Sequence, residues 1–261
     1  MTENGAVVVE THVLRSDGSI TPATRPLAVE VPVAIEYNGI GYAVMMATPV
    51  NLHDFAVGFS LSERLIVVPQ DILELDTIET PQGWIVRVRL DDDQIEPVIE
   101  RARQRVTESS CGLCGLENLE QVVRPLPPIT ARSTATNAAL FAALDNLDDR
   151  QPLNAETGAA HGAAFCLNDG TVQIVREDVG RHNALDKLIG ALAVAGVDPA
   201  TGFFLLTSRC SYELVEKTII AGCPLLVTIS APTTFAVERA KAHGLKLVSL
   251  ARRDAMLLMS K

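Results

Sequence analysis

Residues 203–229 read FFLLTSRCSYELVEKTIIAGCPLLVTI, and this stretch predicts the fold of the second half of the chain. The apolar run Phe203–Thr207 is typical of a buried strand, Tyr212–Ala221 has the apolar spacing of a helix, and Leu225–Ile229 is the next strand. A serine precedes the helix and a glycine follows it, as is common at helix ends. A strand, a helix and a strand in this order indicate a βαβ unit with parallel strands.

The same alternation continues on both sides of this stretch. Helices are predicted over 137–147, 183–195 and 234–243, and strands over 163–167, 172–175 and 245–250. We therefore predict that residues 137–261 form an α/β core, with a mostly parallel sheet and flanking helices.

The first hundred residues follow a different pattern. After a ragged start with turn signals, they predict strands at 27–35, 40–46 and 84–90 and a helix at 52–65. Asn38-Gly39 between the first two strands is a strong signal for a type I′ hairpin turn. This mixture predicts a smaller α+β subdomain at 1–105, followed by a loop at 106–136.

The composition excludes several classes of protein. The chain has 261 residues, of which 48% are hydrophobic, so it can fill a sizeable core. Its net charge of −10 argues against bulk binding to nucleic acid or to an anionic membrane, since both need a basic face. The N-terminus lacks the pattern of a secretory signal, and no apolar run is long enough for a membrane span. We therefore expect a cytoplasmic protein.

The loop at 106–136 carries a pair of cysteines in the run Ser109-Ser110-Cys111-Gly112-Leu113-Cys114-Gly115. Arginines 101, 103 and 105 precede it, and a proline-rich segment follows it at 124–128. Nothing in 101–136 is strongly periodic, so we predict a long loop over these residues. Long loops inside compact domains usually carry a function.

Three kinds of chemistry fit the pair Cys111 and Cys114. A structural zinc site needs four ligands, and the sequence has no second C-x-x-C pair and no H-x₃₋₅-H pair. A thioredoxin-like dithiol belongs at a strand-to-helix junction, whereas this pair lies in a predicted loop. A persulfide carrier needs an exposed, mobile thiolate, which the flanking glycines and nearby arginines would favour. The spacing alone does not choose among the three.

The other cysteines, Cys166, Cys210 and Cys223, lie in or beside apolar runs, and we predict that they are buried core residues. Deaminase chemistry is not expected, because a deaminase zinc site needs H-x-E and P-C-x-x-C. The residues after His161 are Gly-Ala, and Cys210 has no second cysteine three residues later. We therefore predict no metal site, and His161 itself is interpreted as a hydrogen-bonded core residue.

A phosphate site is predicted in the run Asp178-Val-Gly180-Arg181-His182-Asn183, between a strand and a helix N-terminus. Backbone N–H groups at such a position favour anions, a glycine allows close approach, and Arg181 and His182 add positive charge. In the alternative, Asn183 only caps the helix and Arg181 pairs with Asp178. Arg209 follows a strand at its carboxyl end, where ligands bind in open α/β sheets, or it forms a surface salt bridge.

The motifs together resemble those of the formate dehydrogenase accessory sulfurtransferases, the FdhD family. The cysteine loop is similar to the signature loop of that family, and the resemblance covers nearly the whole chain. The chain departs from the usual family pattern at Arg64 and Ala159, where glycine is usual, and at Thr207-Ser208-Arg209, where Ser-Gly-Arg is usual. The matching residues are Glu30-x-Pro32, Asn38-Gly39, Met46–Pro49, Asp54, Gly58-Phe59, Ser62-Glu63, Thr157-Gly158, His161, Glu177–Gly190 and Ser230–Thr233.

The resemblance implies a fold and a function. Proteins of this family have a cytidine-deaminase-like core with a smaller subdomain and form homodimers. They accept sulfur as a persulfide from a cysteine desulfurase and deliver it to the bis-molybdopterin guanine dinucleotide form of the molybdenum cofactor, which formate dehydrogenase requires. By this resemblance Cys111 holds the persulfide and Cys114 is its partner. No cofactor is tightly bound; the molybdenum cofactor is a ligand, and GDP would mimic its nucleotide part.

The resemblance also implies which residues contact that ligand. The cofactor-contacting stretch of the family falls on Leu250, Ala251, Arg252, Arg253, Asp254 and Ala255. Two other functions stay open from the residues alone: a chaperone that carries the finished cofactor without sulfur chemistry, and a dithiol oxidoreductase.

Overall fold

The computed structural model describes residues 1–105 and 125–261. The N-terminal part contains a two-stranded antiparallel ribbon and a four-stranded sheet with strand order β4-β3-β6-β5. Two helices, α1 and α2, accompany this sheet. The bounds are β1 Ala6–Leu14, β2 Ile20–Ala28, β3 Val31–Tyr37, β4 Ile40–Ala47, α1 Leu52–Ser62, β5 Ile72–Thr80, β6 Gly83–Leu90 and α2 Glu96–Arg105.

The C-terminal part is a six-stranded sheet with strand order β12-β11-β10-β9-β7-β8 and five helices. Its strands are apolar and buried through the centre of the sheet, where β9 and β10 have no exposed residue. The bounds are α3 Asn137–Leu147, α4 Pro152–Thr157, β7 His161–Leu167, β8 Val172–Asp178, α5 Arg181–Val194, β9 Gly202–Leu206, α6 Tyr212–Ile220, β10 Leu225–Thr228, α7 Thr234–His243, β11 Lys246–Ser249 and β12 Leu257–Ser260.

The prediction of a mostly parallel sheet is wrong. Only the β9–β10 and β10–β11 pairs are parallel, while β7–β8, β7–β9 and β11–β12 are antiparallel. A tight turn at 168–170 joins β7 to β8, and a short segment joins β11 to β12. Connections this short cannot make the crossover that a parallel pair needs. The mixed α/β class itself agrees with the prediction.

The N-terminal part departs from the prediction in three places. The ragged start is a regular ribbon, and the strand expected at 27–35 is two strands separated by Val29-Glu30. Residues 101–105, expected in a loop, end helix α2, in which Val98 is fully buried. The Asn38-Gly39 turn is confirmed, with φ of 47° and 81°.

A close helix crossing joins the two parts of the molecule. Helices α1 and α5 meet at Gly58 and Gly190. A Cβ at Gly58 would lie 1.8 Å from the carbonyl oxygen of Asp186, and one at Gly190 would lie 1.9 Å from that of Asp54. Only glycine allows the two backbones to approach this closely. The crossing therefore sets the position of α5, whose N-terminus belongs to the candidate site.

No helix within residues 1–105 and 125–261 has both the length and the apolar composition needed to cross a membrane.

Candidate functional site

Three loops meet at the carboxyl edge of the parallel strands. They follow β9, β10 and β11, and hydrogen bonds between their backbones hold them together. The Cys210 amide donates to the Ala231 carbonyl over 3.1 Å, and the Thr233 amide donates to the Cys210 carbonyl over 3.0 Å. The Leu250 amide donates to the Ser230 carbonyl over 3.3 Å. This edge is where open α/β sheets bind ligands.

Basic side chains collect at the same edge of the sheet. Since β7 runs antiparallel to β9, its first residue, His161, lies where β9 ends, and the end of β8 lies beside it. Helix α5 begins directly after β8, which brings Arg181 and His182 to this edge, and Arg209 follows β9. We call His161, Arg181, His182 and Arg209 the basic edge.

The electrostatics of His161 reflect this clustering. Burial lowers the pKa of the His161 imidazole, and the positive charge of Arg181 lowers that pKa further. His182 and Arg209 act in the same direction, whereas Asp178 opposes them. His161 is therefore half-buried among positive charges and is not the core residue that we expected from the sequence. An anion at this position would reduce the mutual repulsion.

His182 and Arg181 differ in their hydrogen-bond partners. The Nε2 atom of His182 lies 3.0 Å from Glu213 Oε2 and 3.3 Å from the Ser211 hydroxyl. Burial alone would raise the pKa of Glu213, but its hydrogen bonds with His182 and Ser211 and nearby charges lower that pKa overall. The buried Nε atom of Arg181 has no hydrogen-bond partner among the described residues. Arg181 thus keeps a donor that a ligand oxygen could accept.

The N-terminus of α5 has open backbone donors, but Gly180 plays another part than we predicted. No side chain caps this helix within the described residues, so its first N–H groups and its dipole favour an anion. The Gly180 amide, however, already donates to Asp178 Oδ1 over 2.7 Å. A Cβ at Gly180 would lie 2.7 Å from Asn183 Nδ2. The glycine therefore makes room for an internal hydrogen bond and not for a phosphate.

Asp178, Asn183 and Lys187 form a buried network, which also excludes the alternative roles for Asn183 and Arg181. Lys187 Nζ lies 2.6 Å from Asp178 Oδ2, and both side chains are fully buried. Lys187 donates to the Thr48 carbonyl, while the Thr48 amide donates to Asp178. Asn183 donates to the Met46 carbonyl and to Asp178. Asp178 thus pairs with Lys187 and not with Arg181, and Asn183 does not cap α5.

The signal for this network was present in the sequence but was missed. Lys187 is a neighbour in sequence of Leu185, Leu188 and Ile189, which form the apolar face of a predicted helix, and it is buried with them. A lysine at such a position must find a buried acceptor or a buried acid.

The six residues 250–255, expected together to contact the ligand, lie in different surroundings. Leu250 is half-buried with φ of 53°, and Ala251 is buried. Arg252 donates to the Ile229 carbonyl, which keeps it against the loop after β10. Arg253 points instead toward the end of α3, 3.8 Å from Asp145 and 3.7 Å from Asp148. The exposed residues Asp254 and Ala255 complete this turn. Only Arg252 extends the basic edge.

The predicted catalytic cysteines, Cys111 and Cys114, lie outside the described residues. Their described flanks meet near the end of α1, where Arg101 donates to the Glu63 carbonyl and Arg64 donates to the Pro125 carbonyl over 2.9 Å. The predicted burial of Cys166, Cys210 and Cys223 is confirmed, and it raises the pKa of each thiol to about 12. Thiols this weakly acidic are poor nucleophiles.

Two further features concern residues 1–105 and 125–261 only. A cavity of about 490 Å³ lies away from the basic edge, at the C-terminal ends of α1, α5 and α6. Its lining is mainly apolar, and Lys217 is held at its border by the buried Asp186. Within 1–105 and 125–261, no three His, Cys, Asp or Glu side chains lie close enough together to hold a metal ion.

Comparisons with known proteins cover nearly the whole chain. The model of the FdhD/NarQ family matches residues 28–261. The sulfur carrier protein FdhD of Agrobacterium fabrum is 47% identical over 237 residues, which is 90% of this chain and 88% of that protein. The protein of the same name from Variovorax paradoxus is 42% identical over 232 residues, covering 89% of this chain and 84% of its own.

The fold also has a solved counterpart. A crystal structure described as a formate dehydrogenase accessory protein from Desulfotalea psychrophila aligns with a TM-score of 0.78. The alignment covers 98% of this chain and 97% of the other at 23% sequence identity, so it supports the fold alone. The family match and the close relatives together show that this chain belongs to the FdhD/NarQ family.

Proposed function

We propose that this protein is a sulfur carrier for the maturation of formate dehydrogenase. The observation that carries the proposal is membership of the FdhD/NarQ family, with relatives named sulfur carrier protein that are 47% identical over most of the chain. The sequence supports it with a glycine-flanked cysteine pair, Cys111 and Cys114, in the position of the signature loop of the family.

The proposed first step is a persulfide transfer. The Cys111 thiolate attacks the terminal sulfur of a persulfide on a cysteine desulfurase, the sulfur–sulfur bond of that persulfide breaks, and the desulfurase thiolate leaves. In the second step the terminal sulfur passes to the molybdenum cofactor. Cys114 would assist by attacking the inner sulfur of Cys111, which forms a disulfide and releases the terminal sulfur as hydrosulfide. Arginines 101, 103 and 105 precede the pair in the sequence, and positive charge near a thiol favours the reactive thiolate.

The basic edge is proposed to hold the cofactor. The bis-molybdopterin guanine dinucleotide carries pyrophosphate groups, and Arg181 offers them a free Nε donor beside the open N-terminus of α5. His161 and Arg209 add positive charge at the same place. From β8 to Arg252 after β11 the edge spans four strand spacings of about 4.8 Å, which suits an elongated ligand. We further propose that the protein acts as a cytoplasmic homodimer with a core related to that of cytidine deaminases.

The test is a mass measurement. The reduced protein is incubated with a cysteine desulfurase and cysteine, and its intact mass is recorded beside those of Cys111→Ala and Cys114→Ala. We expect the wild type and Cys114→Ala to gain one sulfur atom and Cys111→Ala to gain none. An equal gain on Cys111→Ala would contradict the assignment of the persulfide to Cys111.

The basic edge favours a second candidate, a chaperone that carries the finished cofactor without sulfur chemistry, because its basic side chains could hold a ligand without a thiol and the cysteines within 1–105 and 125–261 are buried. Under that function Cys111→Ala would still activate formate dehydrogenase, whereas Arg181→Ala would not. Under the sulfur-carrier function both substitutions abolish activation.

A further inference from the structure

The cavity of about 490 Å³ has no role in the proposed sulfur transfer or in the proposed cofactor binding. It opens where the C-terminal ends of α1, α5 and α6 meet, at the opposite end of α5 from the basic edge. Apolar side chains from these three helices line it, among them Leu61, Ile189, Ala193 and Ile220. Sites for small molecules have this size and this composition, a mainly apolar lining with a few placed polar groups.

The loops at the rim of the cavity are apolar and restricted in conformation. Pro69, Pro127 and Pro199 line the cavity, and the fixed φ of a proline limits how far each loop can move. Val67 also lines it and is 86% exposed, although valine is among the residues most often buried in folded proteins. A contiguous exposed apolar surface around a cavity is typical of a binding site. The cavity is therefore largely formed before a ligand enters.

Arg64 brings a positive charge to this cavity from a strained backbone. Its φ is 56°, in the left-handed region that glycine adopts most easily, and glycine is the residue usual at this position of the family. Strained residues cluster at ligand sites, so a long charged side chain in this conformation favours a functional role. The side chain lines the cavity, and its hydrogen bond to the Pro125 carbonyl keeps the guanidinium at the rim.

Negative groups around the cavity already have partners. The carboxylate of Asp186, which is fully buried, accepts hydrogen bonds from Lys217 Nζ and from the Ser62 hydroxyl, each over 2.7 Å. Backbone amides that follow each of the three helices donate to carbonyls of its last turn, as the Val197 amide does to the Leu192 carbonyl. The polar part of the cavity therefore presents cations, and its charge suits an anionic group.

We propose that this cavity binds a small amphipathic carboxylate of the fatty-acid class, with one hydrocarbon chain. The chain lies among the apolar side chains of α1, α5 and α6, and the carboxylate lies on the Arg64 guanidinium. An arginine presents a planar fork of N–H donors that matches the two oxygens of a carboxylate. Lys217 adds positive charge at the same border. Apolar burial supplies affinity, and the arginine selects the anion over neutral or cationic amphiphiles.

Titration calorimetry with simple amphiphiles tests both parts of the proposal on the full chain. Hexanoate, octanoate and decanoate, each below its micelle concentration, should bind with rising affinity, since each buried methylene tightens binding by up to about fourfold. Octanol and octylamine have the chain of octanoate without its charge and should bind at least about tenfold more weakly than octanoate. No binding of octanoate, or equal affinity for the three eight-carbon compounds, overturns the proposal.

Variants locate the site within the molecule. Arg64→Gly relieves the backbone strain and should weaken octanoate binding at least about tenfold while leaving octanol binding unchanged. Arg64→Lys keeps the charge and should recover most of the affinity. Ala193→Trp fills the cavity and should abolish binding of both compounds, whereas Ala195→Trp, at an exposed position of the same helix end, should not.

Two results with these variants would overturn the proposal. Octanoate affinity that is unchanged in Arg64→Gly would mean that the arginine serves only the end of α1. Octanoate binding that persists in Ala193→Trp would place the ligand elsewhere. Neither measurement involves sulfur transfer, so the proposal and the proposed function can fail separately.

Discussion

Lys187 and Asp178 show how single residues connect the site to the rest of the molecule. Burial lowers the pKa of the Lys187 ammonium, and Asp178 opposes that shift from 2.6 Å away. The pair also holds the backbone at Thr48, which belongs to the N-terminal part. Asp178 and Lys187 thus stabilise the structure behind the basic edge.

Replacing Lys187 by methionine should destabilise the protein strongly. The side chain keeps its approximate length, but Asp178 is left as an unpaired buried charge, a loss that costs about 3–5 kcal/mol. The free energy of unfolding is measured by urea titration. The double variant Asp178→Asn/Lys187→Met removes both charges and should recover part of the loss; if the single variant loses less than about 1 kcal/mol, the pair is not fully buried in solution.

His161 should make nucleotide binding depend on pH. Its pKa is below the ordinary value in the free protein, and bound phosphate would offset the surrounding positive charges and raise that pKa. Binding therefore takes up a proton, and GDP affinity should rise as pH falls from about 7.5 toward 5.5.

Calorimetry of GDP binding in two buffers of different ionisation enthalpy measures this proton uptake. His161→Asn should remove most of it, whereas His53→Asn, which changes an exposed histidine of α1, should not. Uptake that is unchanged in His161→Asn would assign the titration to another group.

Among the elements, the crossing of α1 and α5 tolerates the least change. Alanine at Gly58 or Gly190 would place a Cβ less than 2 Å from a backbone oxygen of the other helix. The helices must then separate, and we expect a loss of about 2–4 kcal/mol in the free energy of unfolding, the range of severe overpacking. Gly41→Ala in β4 is the matched control, because its Cβ would meet open space and its φ is not positive. A small effect at Gly58 would mean that the crossing is looser than described.

The residues at the three departures from the family pattern form local hydrogen bonds. Arg64 has φ of 56° after the end of α1, a conformation that glycine adopts most easily, and its side chain donates to the Pro125 carbonyl. The Ala159 amide donates to the Thr157 hydroxyl. The Thr207 hydroxyl accepts from the Gly162 amide and ties the end of β9 to β7. Ala159 and Thr207 lie beside β7 and β9 at the basic edge, whereas Arg64 borders the cavity away from that edge.

At the scale of the whole molecule, the N-terminal part and the core should unfold together. The α1–α5 crossing and the Thr48–Asp178–Lys187 contacts both join them across well-buried interfaces. Trp84, the single tryptophan, lies in β6 and reports on the N-terminal sheet alone. Its fluorescence and the far-UV circular dichroism should therefore show the same urea midpoint. Separate midpoints would indicate two independently stable units divided near residue 105.

Local patterns in the sequence predicted many elements correctly. Helices α3 and α7 have the predicted bounds, the Asn38-Gly39 turn joins β3 to β4, and the three cysteines in apolar runs are buried. Arg181, His182 and Arg209 were predicted as ligand contacts, and the structure brings them to one edge. These features follow from short-range rules: the period of apolar residues, the dihedral preferences of turn residues and the cost of exposing apolar side chains.

Other features were decided only by the tertiary structure. Several features differ from the prediction or were absent from it: the antiparallel β7–β9 and β11–β12 pairs, the edge strand β12, the ribbon of β1 and β2, the position of His161 among positive charges and the burial of Lys187. Each depends on contacts between residues far apart in the chain. A local pattern indicates whether a segment is a strand or a helix and which face is apolar, but the partner of a strand or of a buried charge is selected by packing over the whole molecule.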